Sequence, residues 1–468
     1  MEETTYYGTR LLVQRGLGLI YLLGFIAVVH QFVPLLGRKG LMPAIDFIDR
    51  VSFKEAPSLF HKWNSDNAFK FVGWFGVVLS LLAVTGVSEQ FGLFVSMLTW
   101  FSLWVLYLSI VNVGGLFYSF GWESMLLEAG FLAIFLGSND VVPNTVIIWL
   151  YRWFLFRVMF GAGLIKIRGD QCWRDLTCMY YHYETQPIPN RLSWYFHWLP
   201  KWMHRFSVGV NHFIELLVPF LYFAPQPVAA VAGLITLGFH AWLSMSGNFA
   251  FLGFLTMVLS LSTLSDPQIA WFVSFSKPVL VSSLTLDILS YALAAFVVYL
   301  SINPIRNLLS RRQLMNYSFN RWHFVGTYGA FGSITRPRYE VIIEGSNDQI
   351  DWEEYEFIGK PGDLKRACIQ IAPYHLRLDW LIWFAAFQSP FDHPWLPKLI
   401  DKLKQNDKSV LKLMKSNPFK GKPPRYVRAQ LYRYWFTTPK ERRETKRYWN
   451  REWVQTYYEP IDKNVSLA

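Results

Sequence analysis

Residues 216–265 form a run of 50 with a single ionisable side chain, His240. A helix rises about 1.5 Å per residue, so roughly 20 apolar residues cross a hydrocarbon core of about 30 Å. The run is therefore long enough for two crossings. Pro225 and Pro227 fall where they would turn, because proline removes a backbone donor that lipid cannot replace. The same signal recurs along the first 303 residues. Residues 16–37 carry no formal charge and lie between Arg10 and Arg15 on one side and Arg38 and Lys39 on the other. Residues 71–88 and 90–122 are interrupted only by Glu89, which suggests two spans joined by a tight turn, and residues 287–303 make a final apolar segment. Residues 1–7 are polar and acidic, and the apolar run behind them is too long for a cleavable signal, so the first span is expected to be retained.

Two further apolar stretches carry charge. Glu123 and Glu128 lie within residues 117–136, and Arg152 and Arg157 within residues 146–165. A charge at mid-bilayer costs at least about 2.5–3.5 kcal/mol, so these side chains should point into the bundle towards partners or a wet cavity. The fold class that follows is a polytopic α-helical membrane bundle of about six to nine spans.

Past residue 301 the character changes. The chain's net charge is +12; residues 1–301 hold 17 Lys+Arg and 16 Asp+Glu, whereas residues 302–468 hold 28 and 17, an excess of 11. A basic unit beside a bilayer should attract anionic headgroups, at about 1 kcal/mol per cation. It shows no zinc-finger spacing, helix-turn-helix signal or aromatic RNA-binding motif, and nucleic acid is not an expected partner. Residues 339–344 alternate like a strand, 345–348 are turn chemistry and 352–357 read as a second strand. A small α+β extramembrane domain with an antiparallel β-sandwich-like core is expected, β-rich over 316–388 and helical over 395–455, with amphipathic helices at 395–415 and 425–435. No internal repeat is present. By the positive-inside rule, Arg306, Arg311 and Arg312 would put this domain in the cytoplasm, and Arg10 and Arg15 would put the N-terminus there too.

The densest polar segment lies between apolar blocks: Gly161-Ala-Gly-Leu-Ile-Lys-Ile-Arg-Gly-Asp-Gln-Cys-Trp-Arg-Asp-Leu-Thr-Cys178, followed by Met-Tyr-Tyr-His-Tyr-Glu-Thr-Gln-Pro-Ile-Pro-Asn190. It resembles the hallmark segment of the lipase maturation factor family. The resemblance extends through Tyr118-Ser-Phe-Gly-Trp-Glu-Ser124, Leu127-Glu-Ala-Gly130, Asn211-His-Phe-Ile-Glu-Leu216 and Tyr222-Phe-Ala-Pro225. It continues through Gly326-Thr-Tyr-Gly-Ala-Phe-Gly332, Arg338-Tyr-Glu-Val341, Ala372-Pro-Tyr-His375, Leu378-Asp-Trp380 and Leu431-Tyr-Arg-Tyr434. The resemblance implies a membrane factor, chaperone-like and without a cofactor, that helps secreted clients such as lipases to fold. It further implies the endoplasmic reticulum membrane for a eukaryotic member, or the inner membrane for a compact bacterial one. The hallmark loop, residues 166–206, and the C-terminal domain would then be non-cytoplasmic, against the arginine count. The membrane half is also distantly similar to vitamin K-dependent carboxylase.

Several residues could carry function. Cys172 and Cys178, six apart, are open to three readings: a structural disulfide, buried free thiols or a redox pair. Lys166, Arg168, Asp170, Arg174, Asp175 and His182 in the hallmark loop read as an interfacial charge network or as an anionic binding site. Glu123, Glu128, His212, Glu215 and His240 are the candidates for base chemistry, should the protein be a carboxylase-like enzyme, or for a metal. The leading expectation is a non-enzymatic maturation factor, with a membrane enzyme as the alternative and transport a distant third.

Overall fold

The computed structural model describes residues 5–275 and 278–459. Among them, seven helices are long and apolar enough to cross a membrane: Tyr7–Leu36, Asp66–Thr85, Leu93–Val113, Thr145–Arg168, Lys201–Phe223, Val228–Ser246 and Leu284–Leu309. The chain is a multi-pass membrane protein. In chain order the helices that matter below are α1 (Tyr7–Leu36), α2 (Asp66–Thr85), α3 (Leu93–Val113), α4 (Gly121–Ala133), α5 (Thr145–Arg168), α6 (Lys201–Leu216), α7 (Val228–Ser246), α8 (Leu252–Ser260) and α9 (Leu284–Leu300). The turn expected at Glu89 is present as the one-turn helix Ser88–Phe91, and the turn expected at Pro225 and Pro227 separates α7 from the segment before it.

Thirteen residues give α4 a length of about 20 Å, too short to cross hydrocarbon alone. It is buried along almost its whole length, and this is how Glu123 and Glu128 are kept from lipid. The N-terminal arginines are also used internally. Arg10 donates to the carbonyls of Val141 and Asn139, and Arg15 pairs with buried Glu89 at 2.7 Å. Arg152 is met by the Ser262 carbonyl at 2.9 Å, the Tyr222 carbonyl at 3.2 Å and the Tyr6 hydroxyl at 3.1 Å, so a mid-span cation is satisfied by the ends of neighbouring segments without a carboxylate.

The C-terminal part is built on an antiparallel sheet of four strands in the order β4-β3-β5-β6, where β3 is Arg338–Ser346, β4 Glu353–Tyr355, β5 Tyr426–Phe436 and β6 Trp449–Tyr458. A two-stranded ribbon, β1 (Tyr317–Ser318) with β2 (Gly326–Thr327), lies nearer the bundle. Helices α10 (Arg377–Ala385) and α11 (Trp395–Lys404) pack on the sheet. The expected β3–β4 hairpin is present, with Ile343 opposite Tyr355.

Three sequence expectations are corrected here. Residues 425–435 are strand, not helix: Val427, Ala429 and Leu431 repeat every second residue, and β5 is sandwiched between β3 and β6, where its arginines and tyrosines reach cross-strand partners. The helical stretch 395–455 is interrupted for the same reason, since β6 occupies 449–458, and the expected helix 395–415 stops at Lys404, with Lys408–Leu411 a separate turn. The hallmark loop is shorter than 166–206, because Lys166 and Arg168 belong to the last turn of α5 and α6 begins at Lys201. One buried apolar cluster runs from Val13 in α1 to Tyr457 in β6, joining bundle and sheet.

Candidate functional site

The hallmark segment folds as short helices, Gln171–Arg174, Met179–Thr185 and Ser193–His197, between α5 and α6. Cys172 and Cys178 are bridged at its start; Cys368 is free. Asp170 caps the first short helix through the Cys172 N–H at 3.0 Å and takes Arg336 in a two-point ion pair, with Arg336 Nη2 at 2.8 Å. The Arg336 guanidinium holds the Asp170 carboxyl well below the usual range. Asp170 N–H donates to the Gly332 carbonyl at 2.9 Å, and the Trp173 indole to the Phe331 carbonyl at 2.8 Å. The start of the loop is thus pinned to residues 331–336.

Its far end is pinned by the sheet. Buried Arg338 donates to the carbonyls of Glu184 (2.9 Å), Gln186 and Pro187 (3.3 Å), and Lys360 to that of Pro187 at 3.2 Å. Glu340 pairs with both cations, at 3.0 Å to Lys360. Burial draws Lys360 down to about 8 despite Glu340. Trp194 donates to the Thr437 carbonyl at 2.9 Å, and Asn190 to the Met245 carbonyl at 2.6 Å and to Gln370 at 2.8 Å. A buried polar group without partners costs several kcal/mol, and here carbonyls of the loop are matched by cations from a domain 150 residues away.

The sequence-selected acids and imidazoles do not meet in one cluster. Glu123 pairs with Arg377 at 2.7 Å, lies 3.5 Å from His375 Nδ1 and accepts from the Tyr107 hydroxyl. Glu128 pairs with Arg157 and accepts from the Gly326 N–H at 3.0 Å and the Tyr328 hydroxyl at 2.7 Å. Glu215 pairs with Lys166 and takes the Asn211 amide at 2.8 Å. His212 meets the Trp173 carbonyl at 3.0 Å, and His240 Nε2 lies 3.2 Å from the Met159 sulfur. Among the described residues no three of His, Cys, Asp and Glu form a group that could hold a metal. Of the hallmark charges, Arg168 donates to Gln313 (2.8 Å) and the Leu308 carbonyl (2.9 Å), Arg174 folds back on the Ile167 carbonyl (2.8 Å), and Asp175 stays exposed. His182 is buried against Phe249 and Phe331, and burial lowers it to about 4.

Four of these residues nevertheless share a wall. Lys166, His182, Glu215 and His240 border a cavity of about 540 Å³ between α4, α5, α7 and α8 and the segments around residues 328–335 and 380–395.

Sequence reading singled out neither Arg377, Arg336, Arg338, Glu340, Lys360 nor Tyr328 as a site residue, although Tyr328, Arg338 and Glu340 sit in the motifs that carried the resemblance. The available signal was complementarity: bundle acids without nearby cations, and cations far along the chain that could answer them. Asp379 belongs to the same set. It is buried, accepts the Gly359 N–H at 2.6 Å, and burial pushes it up to about 7. Because that lies above the unfolded value, the folded state holds the proton more tightly between about pH 4 and 7, and this contribution to stability falls as pH rises through that window. Asp379→Asn keeps the acceptor and cannot ionise. Relative to the parent it should gain on the order of 3 kcal/mol between pH 5 and 7, read as a pH-dependent gap in thermal unfolding in detergent; a gap that does not change with pH would refute the assignment.

Comparison with known proteins draws these contacts together. The lipase maturation factor transmembrane domain matches residues 8–271, and the lipase maturation factor C-terminal domain matches residues 324–459. Lipase maturation factor 1 of Homo sapiens is 40% identical over 509 aligned positions, covering 98% of this chain and 89% of the human protein. The Mus musculus protein of that name is 38% identical over 98% of this chain and 88% of its own length, and lipase maturation factor 2 of Xenopus tropicalis 29% identical over 95% and 81%. No solved structure matches the chain.

Proposed function

Because the chain belongs to the lipase maturation factor family, we propose that it is a membrane-embedded maturation factor that helps secreted lipases reach their folded, active form. The observation that carries this reading is the match of both halves in order, at 40% identity, to a protein named for that role. The geometry supports it. The buried Glu123–Arg377 pair joins the bundle to the C-terminal domain, and Arg338 and Lys360 hold the carbonyls of the hallmark segment, so the loop and the C-terminal domain form one face. We assign that face to the non-cytoplasmic side, where secreted clients fold, against the count of Arg306, Arg311 and Arg312, because the positive-inside rule is built on short loops and not on a folded domain. On that face β6 is the outer strand of the sheet, with Trp453 and Val454 exposed, and an open strand edge of this kind accepts an extended segment of another chain. The exposed lysines 398, 404, 408, 412 and 415 suit anionic headgroups.

The alternative of base chemistry gains no support from Glu123, Glu128 and His212, which are paired in different places, and at the cavity shared by Glu215 and His240 the carboxylate is already held by Lys166. Deleting the gene should lower the secreted activity of a lipase made in the same cell without lowering its synthesis, and re-expression should restore it. Rescue by a form with Lys404, Lys408 and Lys412 changed to Glu separates headgroup contact from client contact. Unchanged lipase secretion after deletion would sink the reading.

A further inference from the structure

The cavity bordered by Lys166 and Glu215 lies at the meeting of bundle and C-terminal segments, and its composition is selective. Its walls are largely apolar, from Met125 and Val158 to Leu243, Leu252 and Leu381. Among the described residues that line it, Lys166 and Glu215 are the only formally charged groups, and they neutralise each other. Several lining side chains carry polar atoms that find no partner within the protein: the indole nitrogens of Trp122, Trp383 and Trp395, Nδ1 of His240 and Nε2 of His393. Indole N–H is a donor only, so the lining is rich in donors and poor in charge. Buried donors of this kind normally find an acceptor.

A volume of about 540 Å³ falls within the roughly 300–1,000 Å³ typical of small-molecule sites and is small for a two-chain phospholipid. We propose that this cavity binds one molecule of a neutral single-chain amphiphile, its chain lying between α5 and α7 and its ester or hydroxyl oxygens taking the indole N–H groups. A carboxylate head is disfavoured because no unpaired cation lines the wall among the described residues, and a bilayer is a ready source of a neutral single-chain molecule. The inference stands apart from the maturation role, since it concerns what the bundle holds rather than which client it serves.

The test uses the full chain in nanodiscs with three photoactivatable probes: a diazirine mono-oleoylglycerol, the corresponding free acid and a two-chain phosphatidylcholine. The neutral ester should label peptides containing Met159, Leu252 or Leu381, and excess unlabelled mono-oleoylglycerol should suppress the signal. Ala162→Trp, which fills the cavity, should reduce that labelling about tenfold. Trp383→Phe keeps the ring and removes the donor, and should weaken it about threefold to tenfold with thermal unfolding unchanged. Labelling by the ester confined to outward helix faces would overturn the proposal. So would equal or stronger labelling of the cavity by the acid or the two-chain lipid, or labelling of Trp383→Phe at the parental level. Cellular lipase secretion is scored separately, so loss of labelling with secretion intact, or the reverse, tells the two readings apart.

Discussion

Arg377→Ala should remove about 3–5 kcal/mol of stability, the cost of leaving one member of a buried ion pair uncompensated. Arg377 is fully buried. Its Nη1 donates to Glu123 and to the Phe117 carbonyl, both at 2.7 Å, its guanidinium lies 3.4 Å over the Tyr118 ring, and its backbone N–H donates to Gln31 Oε1 at 3.0 Å. Removing it leaves the Glu123 carboxylate facing a Tyr107 hydroxyl and a His375 ring whose protonation burial disfavours. The effect should appear as a lower unfolding temperature in detergent and as faster proteolysis after residue 377. Adding Glu123→Gln should return part of the loss, because the stranded charge disappears with it; the double variant should be less destabilised than the sum of the singles. Additive losses, or a single-variant cost below about 1 kcal/mol, would mean that the pair does not act as a unit.

Gly169→Ala should cost about 3 kcal/mol or more, although it adds a single methyl group. A Cβ there would lie 2.2 Å from the Gly332 carbonyl oxygen and 2.7 Å from that of Ile165. Both are backbone atoms, so no side chain can swing aside. Eight residues earlier, a Cβ on Gly161 would meet the Tyr328 carbonyl oxygen at 2.4 Å. The two glycines let residues 328–332 lie flush on the end of α5, and the Asp170–Arg336 pair and the Trp173 hydrogen bond depend on that approach. Each substitution should therefore lower rescue of lipase secretion as well as the unfolding temperature. Combining them should cost less than the sum, since a segment displaced by one has already left the other. A Gly169→Ala protein that unfolds and rescues like the parent would show that the segment can shift without loss.

The bundle was legible because hydrocarbon permits few solutions: long uncharged runs separated by Glu89 and by the prolines near 225 mark helices and turns through length and solvation alone. Glu123, Glu128, Arg152 and Arg157 were legible as inward-facing for the same reason. Their partners were not. Glu123 and Arg377 are separated by 254 positions, and Glu128 and Tyr328 by 200, distances over which no local periodicity carries information. Residues 425–435 were misread because arginines and tyrosines set among apolar residues can be arranged on either a helix or a strand over so short a window. The choice was made by tertiary pairing with β3, whose own sequence lies some 90 residues earlier. The motif at residues 326–332 stood out in the sequence with no assignable task, because its work is to meet the distant Glu128 and to lie against Gly161 and Gly169.

The single apolar core that joins bundle and sheet, with the ion pairs across it, bears on how the protein is made. Synthesis delivers Glu123 and Glu128 to the membrane long before Arg377 and Tyr328 leave the ribosome. Until the last third of the chain arrives, α4 holds a carboxylate whose counter-ion does not yet exist, and the hallmark segment offers carbonyls with no cation to meet them. Insertion and completion are thus separate events, and a chain truncated before residue 377 would be inserted yet unfinished, its Glu123 carboxylate still without the Arg377 guanidinium.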